Sequence, residues 1–201
     1  MTDDPDTFPA DLVALVGSRL CHDLISPLSA ISNGVELLGL SGAGMSPEIA
    51  LIAESVAAAN AKLKFFRVAF GSASAGQMVA AREINALLQE LSSSGRLKLA
   101  FALQADQPRH MVKLAYLAVL CIETALPWGG QVTIDETATG WIVRAEADRT
   151  KPDPALWATL DGAEAELRPA QVQFALLPRE AAAHGRQLGW GLSDGSVWIA
   201  F

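Results

Sequence analysis

Across residues 8–40, Val13, Val16, Leu20, Leu24, Leu28, Ile31, Val35 and Leu38 recur at steps of three and four. That period dictates a long amphipathic helix. Residues 41–45 (Ser-Gly-Ala-Gly-Met) break the pattern, and Ser46, Pro47 and Glu48 then supply an N-cap, a proline at the first helical position and an early acid. Along the helix that starts there, Ile49, Ile52, Val56, Ala59, Leu63, Phe66 and Phe70 keep the alternation of a bundle seam. The two segments are expected to form an antiparallel hairpin. A lone hairpin gives each helix one neighbour and leaves much of its apolar stripe wet. Two arrangements answer this: a second copy, making a dimeric four-helix bundle, or the C-terminal half of the same chain.

The small residues at 71–76 read as a linker and divide the chain into a helical hairpin, 8–70, and a second domain, 77–201. In the second domain, residues 82–91 pattern as a helix, 97–103 as a strand and 111–126 as an apolar helix stopped by Pro127 and Gly129-Gly130. Residues 131–136 and 141–146 alternate around Ala138-Thr139-Gly140 as a hairpin. A short helix is expected at 154–160, another at 168–184, and a closing strand pair at 187–192 and 196–201 around Asp194-Gly195. The fold class is α+β, a helical hairpin followed by an α/β sandwich.

With 51% hydrophobic residues the chain can bury a core, while a net charge of -7 and a pI near 4.9 leave no basic stripe for nucleic acid. The segment bearing Asp3, Asp4 and Asp6 lacks the order of a signal peptide, and no apolar run is long enough to span a bilayer. A cytoplasmic protein is expected. Cys21 and Cys121 stand alone, and His22, His110 and His184 fall in no metal-binding spacing, so neither a disulfide nor a bound metal is expected.

At 100° per residue His22 falls opposite the apolar stripe of the first helix, with Ser18, Arg19, Ser26, Ser29 and Asn33 within about 60° of it. This is a surface of small polar side chains around one imidazole and one guanidinium, suited to admitting another protein. Pro27 sits five residues on, inside the helix, where it forfeits the hydrogen bond to the Asp23 carbonyl at a cost of about 3 kcal/mol. Broken local rules of this kind concentrate at functional sites.

The run His22-Asp23-Leu24-Ile25-Ser26-Pro27-Leu28 resembles the H-box of sensor histidine kinases, H-[DE]-x-x-[TNS]-P-L. The longer string from Ser18 to Pro27, continued by Ala30-Ile31-Ser32-Asn33-Gly34-Val35-Glu36-Leu37-Leu38, resembles the ChpT-type histidine phosphotransferases of alphaproteobacterial phosphorelays. The resemblance implies a dimeric hairpin joined to a degenerate relative of the kinase ATPase domain. It implies that His22 takes a phosphoryl group from one response-regulator receiver and gives it to another. The partners implied are the receiver of a hybrid sensor kinase and a CtrA-type regulator, with part of the docking surface on the C-terminal domain. Magnesium would come with the receiver. Imidazole is a good nucleophile near neutral pH, and phosphoryl transfer needs mainly alignment and charge stabilisation. Asp23 is the candidate to hold the imidazole tautomer. Arg19 is either a neutraliser of phosphoryl oxygens or a solvated surface charge.

The second domain departs from a kinase where nucleotide would bind. The N-box stretch 116–123 has no asparagine and carries Glu123 instead, and Asp148-Arg149-Thr150-Lys151-Pro152 lacks the glycines of an adenine-reading loop. Gly189-Trp190-Gly191-Leu192 precedes strands and not a helix. No ATP binding, and so no autokinase activity, is expected. Two other readings remain open at this point: a dimeric adaptor or inhibitor that docks without accepting phosphate, and a receiver phosphatase in which Asp23 and Ser26 position water.

Overall fold

The computed structural model describes residues 10–40, 46–74, 76–101, 104–137 and 139–201. Asp3, Asp4, Asp6 and Phe8, the side chain of Val13, the break at 41–45, positions 102–103 of the expected strand and Ala138 of the hairpin turn lie outside them. The chain divides into two compact units, one up to Ala73 and the other Ser74–Phe201.

The first unit is helix α1, Ala10–Leu40, packed on helix α2, Pro47–Ala69. Ser46 caps α2 as its spacing demands: its hydroxyl accepts from the Ile49 amide at 3.3 Å and donates to the Glu48 carboxylate at 2.7 Å, with Pro47 following at the start of the helix. On α1, Ala14 and Cys21 are buried, and Gly17, Ile25, Leu28, Ser32 and Val35 are half-buried. On α2 the buried residues are Val56, Ala61, Leu63, Phe65, Val68 and Ala69. A side chain at Gly17 would bring its Cβ within 3.1 Å of the Phe70 carbonyl oxygen, so glycine sets how closely the two helices meet.

This packing corrects the seam read from periodicity. Val16, Leu20, Leu24, Ile31 and Leu38 are 49–58% exposed, and on α2 Ile52 is 49% exposed; among the described side chains of the α1 stripe only Leu28 and Val35 are partly covered. The reason is that α1 has two apolar faces. The face with the smaller residues, Ala14, Gly17 and Cys21, is the one withdrawn from solvent. The larger-residue stripe lies roughly 90° around the helix.

The second unit is a five-stranded sheet in the order β2-β4-β5-β7-β6, where β2 is Leu97–Ala100, β4 Gly130–Glu136, β5 Trp141–Glu146, β6 Gly189–Ser193 and β7 Ser196–Ala200. β2 and β4 run parallel and the other pairs antiparallel. A two-residue strand β1, Met78–Val79, pairs with β3, Gln107–Pro108. Alternate residues Val132 and Ile134, Trp141, Val143 and Ala145, and Val197 and Ile199 are buried, the signature of a sheet with one covered face. Helix α4, Arg109–Ala125, packs on β5 and β7 and against α6, Gln173–Ala183; α3 is Ala81–Ser94 and α5 Pro154–Ala158. The chain leaves α4 through Gly129, whose φ of 88° and approach to the Arg96 carbonyl exclude a side chain.

The buried polar side chains Lys113 and Gln173 are both paired, whereas the Trp157 Nε1–H is buried without a hydrogen-bond partner. The Lys113 ammonium, on α4, donates to the Glu180 carboxylate on α6. The Gln173 amide donates to the Ala170 carbonyl at 3.1 Å. The His110 and His184 rings stack in parallel at 4.5 Å. Cys21 and Cys121 are both buried free thiols, one in each unit, and burial pushes both thiols up from their ordinary value.

Candidate active site

His22 stands on α1 with its side chain 82% exposed. Its position lies roughly 100° around the helix from the face that packs on α2, and about opposite the uncovered apolar stripe. The unlike faces of α1 therefore point His22 away from both.

Neighbouring helical residues do not ordinarily face one another, yet the His22 Nδ1–H donates to Asp23 Oδ1 at 3.1 Å. The other Asp23 oxygen, Oδ2, accepts from Arg19 Nε at 2.7 Å across one helical turn. The carboxylate is thus shared, one oxygen to each partner. Hydrogen bonding from His22, and then from Arg19, holds the Asp23 carboxyl below the usual carboxylate range. An ionised carboxylate only accepts, so Nδ1 carries a proton, and in the neutral tautomer that makes this bond the lone pair is on Nε2.

Ser26, Ser29 and Asn33 are exposed along the same helix, and Pro27 lies exposed within it, leaving the Asp23 carbonyl without its usual helical donor. Ser18 differs from these. It is half-buried, and its hydroxyl accepts from the Ser72 amide at 3.4 Å, so it ties α1 to the segment after α2. Sequence spacing brings His22, Asp23, Arg19, Ser26, Ser29 and Asn33 to one exposed side of α1 and places Ser18 at its margin. The Arg19–Asp23 bond, an i, i+4 pair of opposite charge, was there to be read from spacing alone and was missed.

In the second unit, Glu123 is engaged by Arg96, whose Nη2 lies 3.7 Å away, and the Arg149 guanidinium lies 4.2 Å over the Trp128 ring. Asp148 and Arg149 border a cleft of about 320 Å³ with Trp128 and Glu146. Gly189, Gly191 and Leu192 are strand residues of β6, paired to β7, and open no helix. Among the described residues no group of three or more His, Cys, Asp or Glu is placed to hold a metal ion, and no helix is long and apolar enough to cross a membrane.

Residues 81–196 match the family described as the histidine phosphotransferase C-terminal domain. The chain belongs to this family. Protein phosphotransferase ChpT of Brucella abortus (strain 2308) is 37% identical over 126 residues, a match covering 62% of this chain and 60% of that curated relative's length. The 1.7 Å structure of a bacterial phosphotransferase overlays with a TM-score of 0.67 at 27% identity, covering 98% of each chain. A histidine kinase domain from Erythrobacter litoralis overlays more distantly, with a TM-score of 0.46 at 15% identity over 94% of this chain and 93% of that one. Membership rests on the second unit, and the His22 site described above belongs to the first.

Proposed function

We propose that this protein is a cytoplasmic histidine phosphotransferase in which His22 relays a phosphoryl group between response-regulator receiver domains. The observation that carries the reading is the exposed imidazole with Nδ1 tied to Asp23 and Nε2 free. The Nε2 lone pair attacks phosphorus of the receiver's aspartyl phosphate; the N–P bond forms as the P–O bond to the aspartate breaks and the carboxylate leaves. The ring becomes cationic while phosphorylated and keeps its Nδ1 proton, and the Asp23 carboxylate stabilises that charge. Transfer to the next receiver is the reverse step. The divalent cation that neutralises phosphoryl oxygens enters with the receiver, and no nucleotide takes part. Ser26, Ser29 and Asn33 form the docking surface around the imidazole, with Ser18 at its edge and Pro27 exposing a backbone carbonyl within it.

The reading includes a homodimer. In a four-helix bundle each helix meets two neighbours about a right angle apart. On α1 the face packed on α2 and the uncovered stripe Val16, Leu20, Leu24, Ile31 and Leu38 are related in that way. A second hairpin covers the stripe and leaves His22 outward. The hybrid-kinase receiver and a CtrA-type regulator are the partners this relay would join.

The test is transfer of label from a radiolabelled phospho-receiver to the purified chain without nucleotide, beside His22→Ala. Acid-labile label on the unaltered chain alone is the expected result. Binding without label would make it a docking protein, and loss of receiver phosphate without label a phosphatase.

A further inference from the structure

Within the Arg19, Asp23 and His22 chain of contacts, the member with no evident reason to be there is Arg19. Its side chain is 77% exposed and that of Asp23 47%, so the pair adds little to stability. The guanidinium is tethered through Nε to Asp23 Oδ2, which leaves its Nη groups as the donors for any other partner. What the bond does is fix the carboxylate. An aspartate one residue after a histidine projects about 100° away around the helix, and pinning Oδ2 a turn back towards the N-terminus leaves Oδ1 against His22 Nδ1.

Fixing the carboxylate by a cation has a second consequence. A lone carboxylate beside an imidazole favours the imidazolium, which has no lone pair to attack phosphorus. A guanidinium on the far oxygen offsets that charge while leaving the hydrogen bond in place. On α2, the helix packed against this turn, Arg67 is a cation whose field reaches the neighbouring Cys21 thiol.

We propose that Arg19 is the positioning residue of the His22 site: it holds Asp23 against Nδ1 and balances its charge, so that the imidazole is oriented with a neutral, outward Nε2. This rests on the phosphotransfer reading for its role in the reaction, but the orientation itself is observable without any transfer.

The experiment uses the full chain and Arg19→Gln, Arg19→Lys, Asp23→Asn and the Arg19→Gln/Asp23→Asn double variant. Two quantities are read: the pH–rate profile of transfer from a phosphorylated receiver, and the imidazole ¹⁵N shifts that report which ring nitrogen carries the proton. In Arg19→Gln the acid limb of the rate moves to higher pH, with a loss of roughly five-fold near pH 6 that shrinks as the pH is raised. Arg19→Lys recovers most of it. In the Asp23→Asn background the same substitution has no further effect, as expected of a residue acting through Asp23. The Nδ1-protonated form dominates in the unaltered chain and loses that dominance in Arg19→Gln. An equal loss at every pH, or an undiminished loss in the Asp23→Asn background, overturns the proposal and makes Arg19 a direct phosphate ligand. If the unaltered chain takes no label, the phosphotransfer reading fails by itself, and the ¹⁵N spectra still decide: identical tautomers in the two chains overturn the positioning role, and a changed tautomer upholds it.

Discussion

Helices α1 and α4 are both rich in apolar residues and treat them in opposite ways. Of the 17 residues of α4, 12 are buried, among them a lysine, whereas in the longer α1 only Ala14 and Cys21 are buried among the described side chains and five large apolar residues of its stripe stand about half exposed. α4 is wrapped by the sheet and α6, so its unit holds its own core. Among the described residues of its own unit, the stripe of α1 is left about half exposed. One sequence thus contains a unit that closes on its own core and a unit that presents an apolar face.

The difference is broken most directly by Leu20→Glu with Leu24→Glu. If the stripe is the dimer seam, four leucines per dimer lose their burial, at about 1.5–3 kcal/mol each. Sedimentation equilibrium should then show a monomer, while the near-ultraviolet signal of the second unit is unchanged. Lys113→Ala tests the opposite side. It strands the Glu180 carboxylate at the α4–α6 junction and should cost about 3–5 kcal/mol by denaturant unfolding, with no change in association state. Ser46→Ala removes the α2 cap and should cost about 1 kcal/mol, visible as a lower melting temperature of the helical hairpin.

The smallest effect is a pH dependence confined to the second unit. Burial, then the neighbouring His184 and Arg186, lower the His110 imidazole below its ordinary value. The unfolded chain therefore takes up that proton before the folded one does. Stability is full above the ordinary imidazole value near 6.5 and declines as the pH falls below it, until His110 is protonated in the folded state too. Urea midpoints measured across that window should slope less in His110→Phe.

Much of this architecture is legible in the sequence because its elements announce themselves locally. The β4–β5 hairpin alternates strictly, β6 and β7 flank an Asp-Gly turn, and Ser46-Pro47-Glu48 marks the start of α2 to the residue. The hidden parts depend on what lies across space. Periodicity finds both apolar faces of α1 but cannot tell which one α2 takes, and it favoured the stripe with the larger residues. The Lys113–Glu180 pair joins positions 67 apart, and nothing in the local patterns around His110 and His184 points to their stacking. At the candidate site the exposed imidazole followed from helix geometry. The sharing of Asp23 between His22 and Arg19 needed side-chain positions, although the i, i+4 spacing hinted at it.

The two buried thiols give each unit its own clock. An alkylating reagent needs an exposed thiolate, and Cys21 and Cys121 offer neither until the surrounding helices part. The rate at which each cysteine is labelled in the native protein therefore counts the openings of its own unit. Cys21 stands one residue before His22, so covering the hairpin with another copy or docking a receiver on it should slow that clock while the one at Cys121 keeps time.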